Sequence, residues 1–392
     1  MKQRRERLAR VRKAAGHTQE SLADLLRLDR STVVRWERTE TEPQPWLRPR
    51  LARALGISPA RLDELLTDIV AVEDTESDDR LAAVLNGHAR VDVATARALH
   101  DQVRRIDRDY ETASSASLLA AAGQCHASLL HVLAGTSAER VRQELQTALA
   151  ASASLMSQLV WDASGRRDGV TTLDYCDQAI AAAEASQQPA AKANAELRRS
   201  YVALYGLHPA RDPRVGLSDA ETAIASSQGV SHALTGLASL HAAEALAMQG
   251  EYRMCERAIG EAERHFDRVN ADDVGARYFS PTQFGRLSGS CYLFLGSPER
   301  AEPSLSKTAQ ALGAWHKTRS LVLGNLALAY LRQRKLDEAI ATLPDAIDAL
   351  EQARGAGGMT VVFGAARELY PWRQTPAVQE VNDRLLALMT KA

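Results

Sequence analysis

The sequence has few aromatic residues and no long strand-forming segments, which excludes a β-rich core. Aromatic side chains make up 5% of the 392 residues, whereas alanine and leucine supply most of the 45% that are apolar. Small and straight-chain apolar residues favour helices with closely packed contacts. We therefore predict an all-α protein.

Cysteine is also scarce, and its pattern excludes two kinds of structural site. The four cysteines form no CxxC pair and no cluster with histidine; they are Cys125, Cys176, Cys255 and Cys291. This spacing is typical of a reducing compartment and indicates neither a disulfide framework nor a zinc site.

Long apolar runs are missing as well. The N-terminal segment "MKQRRERLARVRK" is basic but lacks the apolar core of a signal peptide. The most apolar window begins at Leu118 and includes Gln124, His126 and His131, which a membrane-spanning helix would have to bury in lipid. We expect a core helix there, and a cytoplasmic protein without a membrane partner.

The formal net charge of −1 conceals an uneven distribution. Residues 1–66 contain 15 basic and 9 acidic residues, and the remainder contains 33 basic and 40 acidic residues. A basic N-terminal region on an acidic body predicts that the N-terminal region binds a polyanion. Lysine is rare beside arginine, which is typical of a GC-rich bacterial genome.

Helix patterns fill residues 4–66. The segment "RRERLARVRKAAG" has helical apolar spacing and stops at Gly16, and Thr18 and Asp29 are candidate N-caps for the next two helices. The segments "LRPRLARALG" and "PARLDELL" predict two more. The side chains predicted to point inward on the second and third helices are Leu22, Ala23, Leu26, Val33 and Trp36.

These residues resemble the phage-repressor-like, xenobiotic-response-element family of helix-turn-helix domains. The match consists of T-Q-x-x-L-A, a three-residue turn, S-T-V-x-x-W-E, then P-x-P and L-A-x-A-L-G-I-S. It implies a five-helix domain in which Ala23 permits close helix crossing and Glu37 ends the recognition helix. Arg27 departs from the pattern, because a turn glycine is usual there.

The resemblance implies that the third helix enters the major groove of double-stranded DNA. An arginine on that helix can donate two hydrogen bonds to guanine. The alternative interpretation is an ordinary solvated helix face. The predicted DNA-binding residues are Thr18, Gln19, Arg30, Ser31, Thr32, Arg35 and Arg38.

Three domains follow from this organisation. Residues 1–68 are the predicted helix-turn-helix domain. Residues 69–80 form an acidic linker, because five of the seven residues from Glu73 to Asp79 are acids and such a run is solvated. Residues 81–392 are the predicted helical-repeat effector and dimerisation domain.

The long C-terminal region contains recurring helix pairs. Segments around Gly250, Gly296 and Arg334 align closely, and segments around Gly165 and Gly206 align more loosely. They resemble tetratricopeptide repeats over residues 137–353, with further helices on both sides. In the clearest unit the small-large-large-small packing positions of the family are occupied by Ala327, Tyr330, Leu336 and Ala339.

The resemblance implies an α-solenoid whose concave groove holds a peptide, a small molecule or a protein. Each candidate groove residue has an ordinary polar surface role as its alternative. The candidates for ligand binding are His241, Glu244, Gln283, Arg286, Asn325 and Arg332.

Patterns that suggest catalysis or cofactor binding are weak. "SGSCYLF" around Cys291 is similar to a thiol-protease motif, but Gly289 fits the small position of a repeat. "GAGG" at 355–358 follows a helix and not a strand. His126 and His131 are five residues apart, which is poor spacing for metal ligands on a helix. We predict no catalytic residue, metal or cofactor, and therefore no enzyme.

Together these features predict a homodimeric DNA-binding transcription regulator whose repeat domain senses an effector. The design resembles regulators that join a phage-repressor-like domain to a repeat sensor, including the peptide-pheromone receptors of Gram-positive bacteria. The alternative is a protein-interaction scaffold that its helix-turn-helix domain tethers to DNA.

Overall fold

The computed structural model separates the chain into two compact units, Met1–Arg90 and Val91–Ala392, here called the head and the repeat domain. The residues that the structure describes are 3–4, 6–26, 28–37, 41–44, 47–55, 57, 62, 66, 70–71, 84, 90–207, 211–313, 316–353 and 355–390.

The described part of the head contains helices and one very short strand pair. The helices are α1 (Glu6–Ala14), α2 (Gln19–Leu26), α3 (Arg30–Glu37) and α4 (Arg48–Ala54). Strand β1 (Gln3–Arg4) pairs antiparallel with β2 (Val70–Ala71), which includes two residues of the predicted linker. The rest of that linker, the turn residue Arg27 and most of the predicted fifth helix lie outside the described residues.

The head core agrees with the helical pattern of the sequence. All five side chains predicted to point inward on α2 and α3 are buried. Ala23 is 1% exposed, as expected where two helices cross closely. Leu62 and Leu66, from the predicted fifth helix, belong to the same core. The sequence prediction for the interior of this domain is therefore confirmed.

The repeat domain consists of helix pairs. Its helices are α5 (Val93–Arg108), α6 (Ser115–Ala134), α7 (Glu139–Ala163), α8 (Gly169–Ala185), α9 (Pro189–Tyr205), α10 (Pro213–Ser227), α11 (His232–Met248), α12 (Tyr252–Phe266), α13 (Pro281–Phe294), α14 (Pro298–Ala311), α15 (Lys317–Arg332), α16 (Leu336–Gln352), α17 (Ala356–Glu368) and α18 (Pro376–Thr390). Short 3₁₀ helices occur at Ala276–Tyr278 and Tyr370–Trp372.

The breaks aligned in the sequence are the turns within these pairs. Gly165, Gly250 and Gly296 have φ of +64°, +79° and +70°, and Arg334 has φ of +62° at the equivalent turn. This left-handed conformation ends a helix without strain at glycine, whereas at Arg334 it costs about 1 kcal/mol. Gly206 differs, with φ of −59°, so the backbone leaves α9 there without a left-handed residue.

Packing within the pairs also follows the repeat pattern. Ala327 and Ala339 are fully buried, and Tyr330 and Leu336 pack partly buried against the same core. A Cβ atom added at Gly289 would lie 2.6 Å from Leu305 Cγ, so that position must be small. These contacts confirm the tetratricopeptide-like interpretation and the all-α fold class.

The helical repeats close into a ring. We call α7, α9, α11, α13, α15 and α17 the inner helices. Each contacts the next inner helix, and α17 contacts α7 in turn. The sequence predicted a concave groove, and in the structure this groove lies inside the ring as a central cavity. The closure was not predicted, because contacts between the first and last inner helices are invisible to a local repeat alignment.

Helix α6 contains a long apolar window. By length and composition alone it is long enough to cross a membrane, and 28% of its apolar window is buried. A lone helix of this kind is weak evidence for a membrane span. One of its faces packs against α5 and α7 through side chains that include Ala122, Cys125 and Leu129.

Candidate DNA-contacting helix and central cavity

The orientation of α3 in the head is fixed by a buried ion pair. Arg12 Nε on α1 donates to Glu37 Oε1 at 2.7 Å, and Gln19 Nε2 on α2 donates to Glu37 Oε2, also at 2.7 Å. Arg12 and Glu37 are 5% and 9% exposed. The acidic residue at the end of α3 thus joins all three helices.

The outer face of α3 is polar and basic. Arg30, Ser31 and Arg35 are exposed, and Thr32 is half-buried. Thr18 stands at the start of α2, where its Oγ1 accepts from the backbone N–H of Ser21 at 3.0 Å. This cap fixes the first turn of α2, so the two helices of the motif are both anchored.

A cavity of about 530 Å³ occupies the centre of the repeat-domain ring. Inner helices contribute most of its wall, together with the segment that follows α5. Residues on its wall include Tyr110, Gln158, Trp161, Arg166, Arg198, Tyr201, Tyr205, His241, Glu244, Arg286 and Asn325.

A buried ion pair closes the ring beside this cavity. Lys317 Nζ, on α15, donates to Asp162 Oδ2 at 3.2 Å and to Ser115 Oγ at 3.0 Å. The other oxygen of Asp162 accepts from the backbone N–H of Ala356, at the start of α17, at 2.6 Å. Lys317 Nζ also lies 3.9 Å from the centre of the Tyr110 ring.

Further contacts join the same regions. The Lys317 backbone N–H donates to the carbonyl of Glu111 at 2.8 Å, and Thr318 Oγ1 donates to Glu111 Oε2 at 3.2 Å. His316 Nδ1 approaches Glu111 Oε2 at 3.1 Å without the alignment of a hydrogen bond. The junction thus combines backbone and side-chain contacts across about 200 residues of sequence.

A hydrogen-bonded polar network lies on another wall of the cavity. The Tyr205 hydroxyl donates to Glu244 Oε2, so His241 Nδ1, 2.7 Å from that hydroxyl, acts as a donor to it. Ser290 Oγ donates to Glu244 Oε1 at 2.6 Å. Burial, together with the charge of Arg286, holds the pKa of His241 well below its usual value, so His241 is neutral.

Three guanidinium groups face the cavity from different elements. Arg166 follows α7, Arg198 lies on α9 and Arg286 lies on α13. Among the described residues, no carboxylate lies within 4.0 Å of any of the three. Burial lowers the pKa of Arg166, but a guanidinium starts so far above neutrality that it stays charged.

Several hydrogen-bonding atoms on the wall have no partner. Trp161 Nε1, Gln158 Oε1 and Arg198 Nε are buried without one in the described structure. Trp161 is only 8% exposed as a whole residue. Buried polar atoms without a partner are rare in proteins, and each is unfavourable by about 1–3 kcal/mol.

The glycine-rich segment at 355–358 helps to form the closure. A Cβ atom at Gly357 would overlap the guanidinium of Arg166, and one at Gly355 would lie 2.6 Å from Lys317 Cγ. These glycines let the start of α17 approach α7 and α15. Gly355 is thus the N-cap of α17 and residues 356–358 form its first turn, after a helix and not a strand.

Cys291 has the properties of a core residue. It is fully buried, and its hydrogen bond with Cys255, followed by burial, raises the pKa of its thiol well above the usual value. A nucleophilic cysteine needs a lowered pKa. His126 bonds to Ser152 and Gln178, and the described residues contain no group of three or more potential metal ligands.

The head is similar in sequence to a known domain family. Residues 5–65 match a family model described as a helix-turn-helix domain. The head is a helix-turn-helix domain. This confirms the helix-turn-helix resemblance predicted for residues 4–66. No curated protein matches the sequence.

One solved structure resembles the chain over most of its length. It is PlcR from Bacillus thuringiensis, in complex with the peptide PapR7 and DNA. The alignment covers 78% of this chain and 92% of PlcR, with 13% identity and a TM-score of 0.30. A score this low does not establish a common fold.

In the helix-turn-helix domain the predicted contact residues occupy different environments. Arg30, Ser31 and Arg35 share the exposed side of α3. Gln19, expected to reach DNA, is bonded to Glu37, and Thr18 caps α2. Arg38 lies outside the described residues.

The predicted groove residues are mostly brought together. His241, Glu244, Gln283, Arg286 and Asn325 all line the cavity. The side chain of Gln283 also accepts from the Ser280 backbone N–H at 2.9 Å and so caps α13. Arg332 lies elsewhere: it bonds to the Leu293 carbonyl and to Glu368, each at 3.0 Å.

Sequence reasoning missed part of the wall. Arg166, Arg198 and Trp161 were not identified, and neither was the closure by Lys317 and Asp162. A helical register places Tyr201 and Tyr205 on one side of α9, which is a detectable signal. The positions that depend on ring closure carry no such local signal.

Proposed function

We propose that this chain is a cytoplasmic, sequence-specific transcription regulator that acts as a homodimer and senses an effector in the central cavity of its repeat domain. The observation that carries the proposal is the exposed side of α3, with Arg30, Ser31 and Arg35, in a helix-turn-helix domain. The cavity supplies the second half of the proposal.

The role of α3 follows from its chemistry. Arg30 and Arg35 lie on the exposed side of α3. An arginine can donate paired hydrogen bonds to guanine O6 and N7, while Ser31 and Thr32 suit phosphates or base edges. Gln19 and Thr18, already engaged within the domain, position the helix and its first turn. Arg38 remains a candidate because it follows directly after α3 in the sequence.

The cavity supports a sensor more than a scaffold. A volume of about 530 Å³ falls in the range of small-molecule sites and cannot admit a folded protein. Its polar wall combines charged groups, amides and aromatic rings. His241, Glu244, Gln283, Arg286 and Asn325 are the effector-site residues that we retain from the sequence.

The first test selects bound duplexes from a random DNA pool at near-physiological salt. We expect an enriched two-fold symmetric sequence, because one recognition helix covers one half-site. Arg35→Ala should relax the preference at one position in each half-site by about 1–3 kcal/mol. The matched control is Arg53→Ala, an exposed arginine on α4, which should keep the preference of the wild type.

Two outcomes would contradict this proposal. If no DNA sequence is enriched and the protein co-purifies with a folded partner protein, the scaffold alternative is correct. If light scattering gives a monomer mass both with and without the selected duplex, the homodimer is wrong.

A further inference from the structure

We infer that the central cavity binds a small oxyanionic ligand, bearing a carboxylate or phosphate group on a flat or apolar body. The inference deepens the proposed effector site and rests on it for its regulatory meaning, but not for the binding itself. It derives from the unpaired guanidinium groups and unpartnered polar atoms that face one cavity.

Charge is the first argument. Arg166, Arg198 and Arg286 bring three positive charges to the wall, and none has a carboxylate within 4.0 Å among the described residues. Arginine is suited to bind carboxylate and phosphate through paired hydrogen bonds. All three arginines are half-buried, and a positive charge that is partly removed from water is stabilised by a nearby anion. This wall is therefore complementary to an anion that the protein itself does not supply.

The acids on the wall do not compensate these arginines. Asp162 is engaged by Lys317 and by the Ala356 backbone N–H. Glu244 accepts from Tyr205 and from Ser290. Both carboxylates are therefore bonded to other residues of the ring and not to these arginines.

The remaining charged residues of the wall leave this conclusion unchanged. Glu111 accepts from Thr318 at the closure. The others are exposed to solvent, where water screens their charge, and they include one acid and two bases: Asp107, Arg211 and Arg277.

Hydrogen bonding is the second and independent argument. Trp161 Nε1 and Arg198 Nε are buried donors without partners, and Gln158 Oε1 is a buried acceptor without one. All three residues line the cavity, so its wall contains more hydrogen-bonding groups than the described protein satisfies.

The wall also defines the body of the ligand. Arg166 lies 5.2 Å from the centre of the Tyr205 ring, and Tyr201 lies beside His241 with ring centres 4.4 Å apart. Trp161 and Phe279 complete an aromatic lining. Aromatic and guanidinium planes favour a flat partner that stacks on them.

The test titrates the full-length protein by calorimetry at constant ionic strength with three probes: benzoate, benzamide and phenyl phosphate. Benzoate and benzamide have nearly the same shape but differ in charge. We expect both anions to bind and benzamide to bind at least about tenfold more weakly, because a charged hydrogen bond is worth roughly that factor. Comparing the affinities for phenyl phosphate and benzoate shows whether the cavity prefers a phosphate or a carboxylate group.

Variants locate the binding. Arg198→Met and Arg286→Met should each weaken anion binding about tenfold, with little change for benzamide. Arg253→Met, an exposed arginine on the outer helix α12, should bind like the wild type. We expect benzoate to change the tryptophan fluorescence of the wild type, and we expect this change to be absent in Trp161→Phe. Unfolding midpoints confirm that each variant is folded.

The inference is overturned if benzamide binds as well as benzoate, if neither anion binds up to its solubility limit, or if both arginine variants bind like Arg253→Met. Binding of the selected DNA by the same samples separates the two proposals. DNA binding without anion binding contradicts only this inference, whereas anion binding without DNA binding contradicts only the regulator proposal.

Discussion

The head and the repeat domain are each held by a buried ion pair, but the two pairs connect very different lengths of chain. In the head, Arg12 and Glu37 are 25 residues apart and join α1 to the end of α3. In the repeat domain, Lys317 and Asp162 are 155 residues apart and join α15 to the first inner helix, α7. The same interaction thus fixes a local motif in one unit and closes a ring in the other.

In both units the ion pair matters for stability mainly when only one of its partners is removed. Replacing such a pair by apolar side chains is often neutral, whereas removing one partner leaves an uncompensated charge. Both pairs orient elements whose exposed or cavity-facing residues we assign to function. Breaking each pair separately therefore tests whether the head and the ring depend on these contacts independently.

The largest effect is expected from Lys317→Met. Asp162 would lose its cation, Tyr110 would lose its cation–π contact, and the free energy of unfolding should fall by about 3–5 kcal/mol. Urea unfolding measures the loss. Hydrogen exchange should rise in α7, α15 and α17, with the head unchanged.

The matched control is the double variant Asp162→Asn with Lys317→Met, which removes both charges. It should recover part of the stability, since no buried carboxylate is left unpaired. Equal losses in the single and double variants would mean that the ion pair is not what holds the ring closed.

A smaller effect is expected from Arg12→Met in the head. Glu37 would keep its bond from Gln19, so the loss should be about 3 kcal/mol, at the lower end of the range for buried pairs. Hydrogen exchange should rise in α1 and α3 only, and DNA affinity should fall. Exchange that rises equally in α15 would show that the two units are not independent.

The smallest expected effect is a pH dependence of stability caused by His241, which is neutral in the folded repeat domain. The pKa of His241 is lowered in the folded protein, so between pH 7 and 5 the unfolded chain binds a proton that the folded chain does not. Stability should therefore fall as the pH falls below the ordinary histidine pKa, by at most about 1.4 kcal/mol per pH unit for this one group.

The comparison that isolates His241 uses His241→Gln. The groups that face this imidazole are Arg286, Glu244, Tyr201 and Tyr205, and all remain in the variant. Other histidines with lowered pKa, such as His126, contribute equally to both proteins. Parallel stability curves for variant and wild type between pH 7 and 5 would contradict the assignment.

Most of the head, and the helix pairs of the repeat domain, could be predicted from the sequence, because their signals are local. Caps, apolar spacing and small packing positions act within a few turns of helix. Thr18, Ala23 and Gly289 are examples. The closure could not be predicted in this way, since no local pattern links Asp162 to Lys317.

The same distinction applies to the candidate sites. The exposed residues of α3 follow from helical periodicity and the family resemblance. On the inner helices, the family resemblance identified His241 and Asn325 but could not separate Arg286, on the cavity wall, from Arg332, which bonds to neighbouring helices. That separation depends on the curvature of the whole ring.

Ring closure also limits how this architecture can change in length. In an open solenoid each repeat touches only its neighbours, so a helix pair can be gained or lost with little geometric consequence. Here an inserted pair would carry Lys317 away from Asp162 and leave both charges buried and unpaired. Lys317 and Asp162 can therefore meet only in a ring with the present number of repeats. Duplication of a single repeat should be selected against.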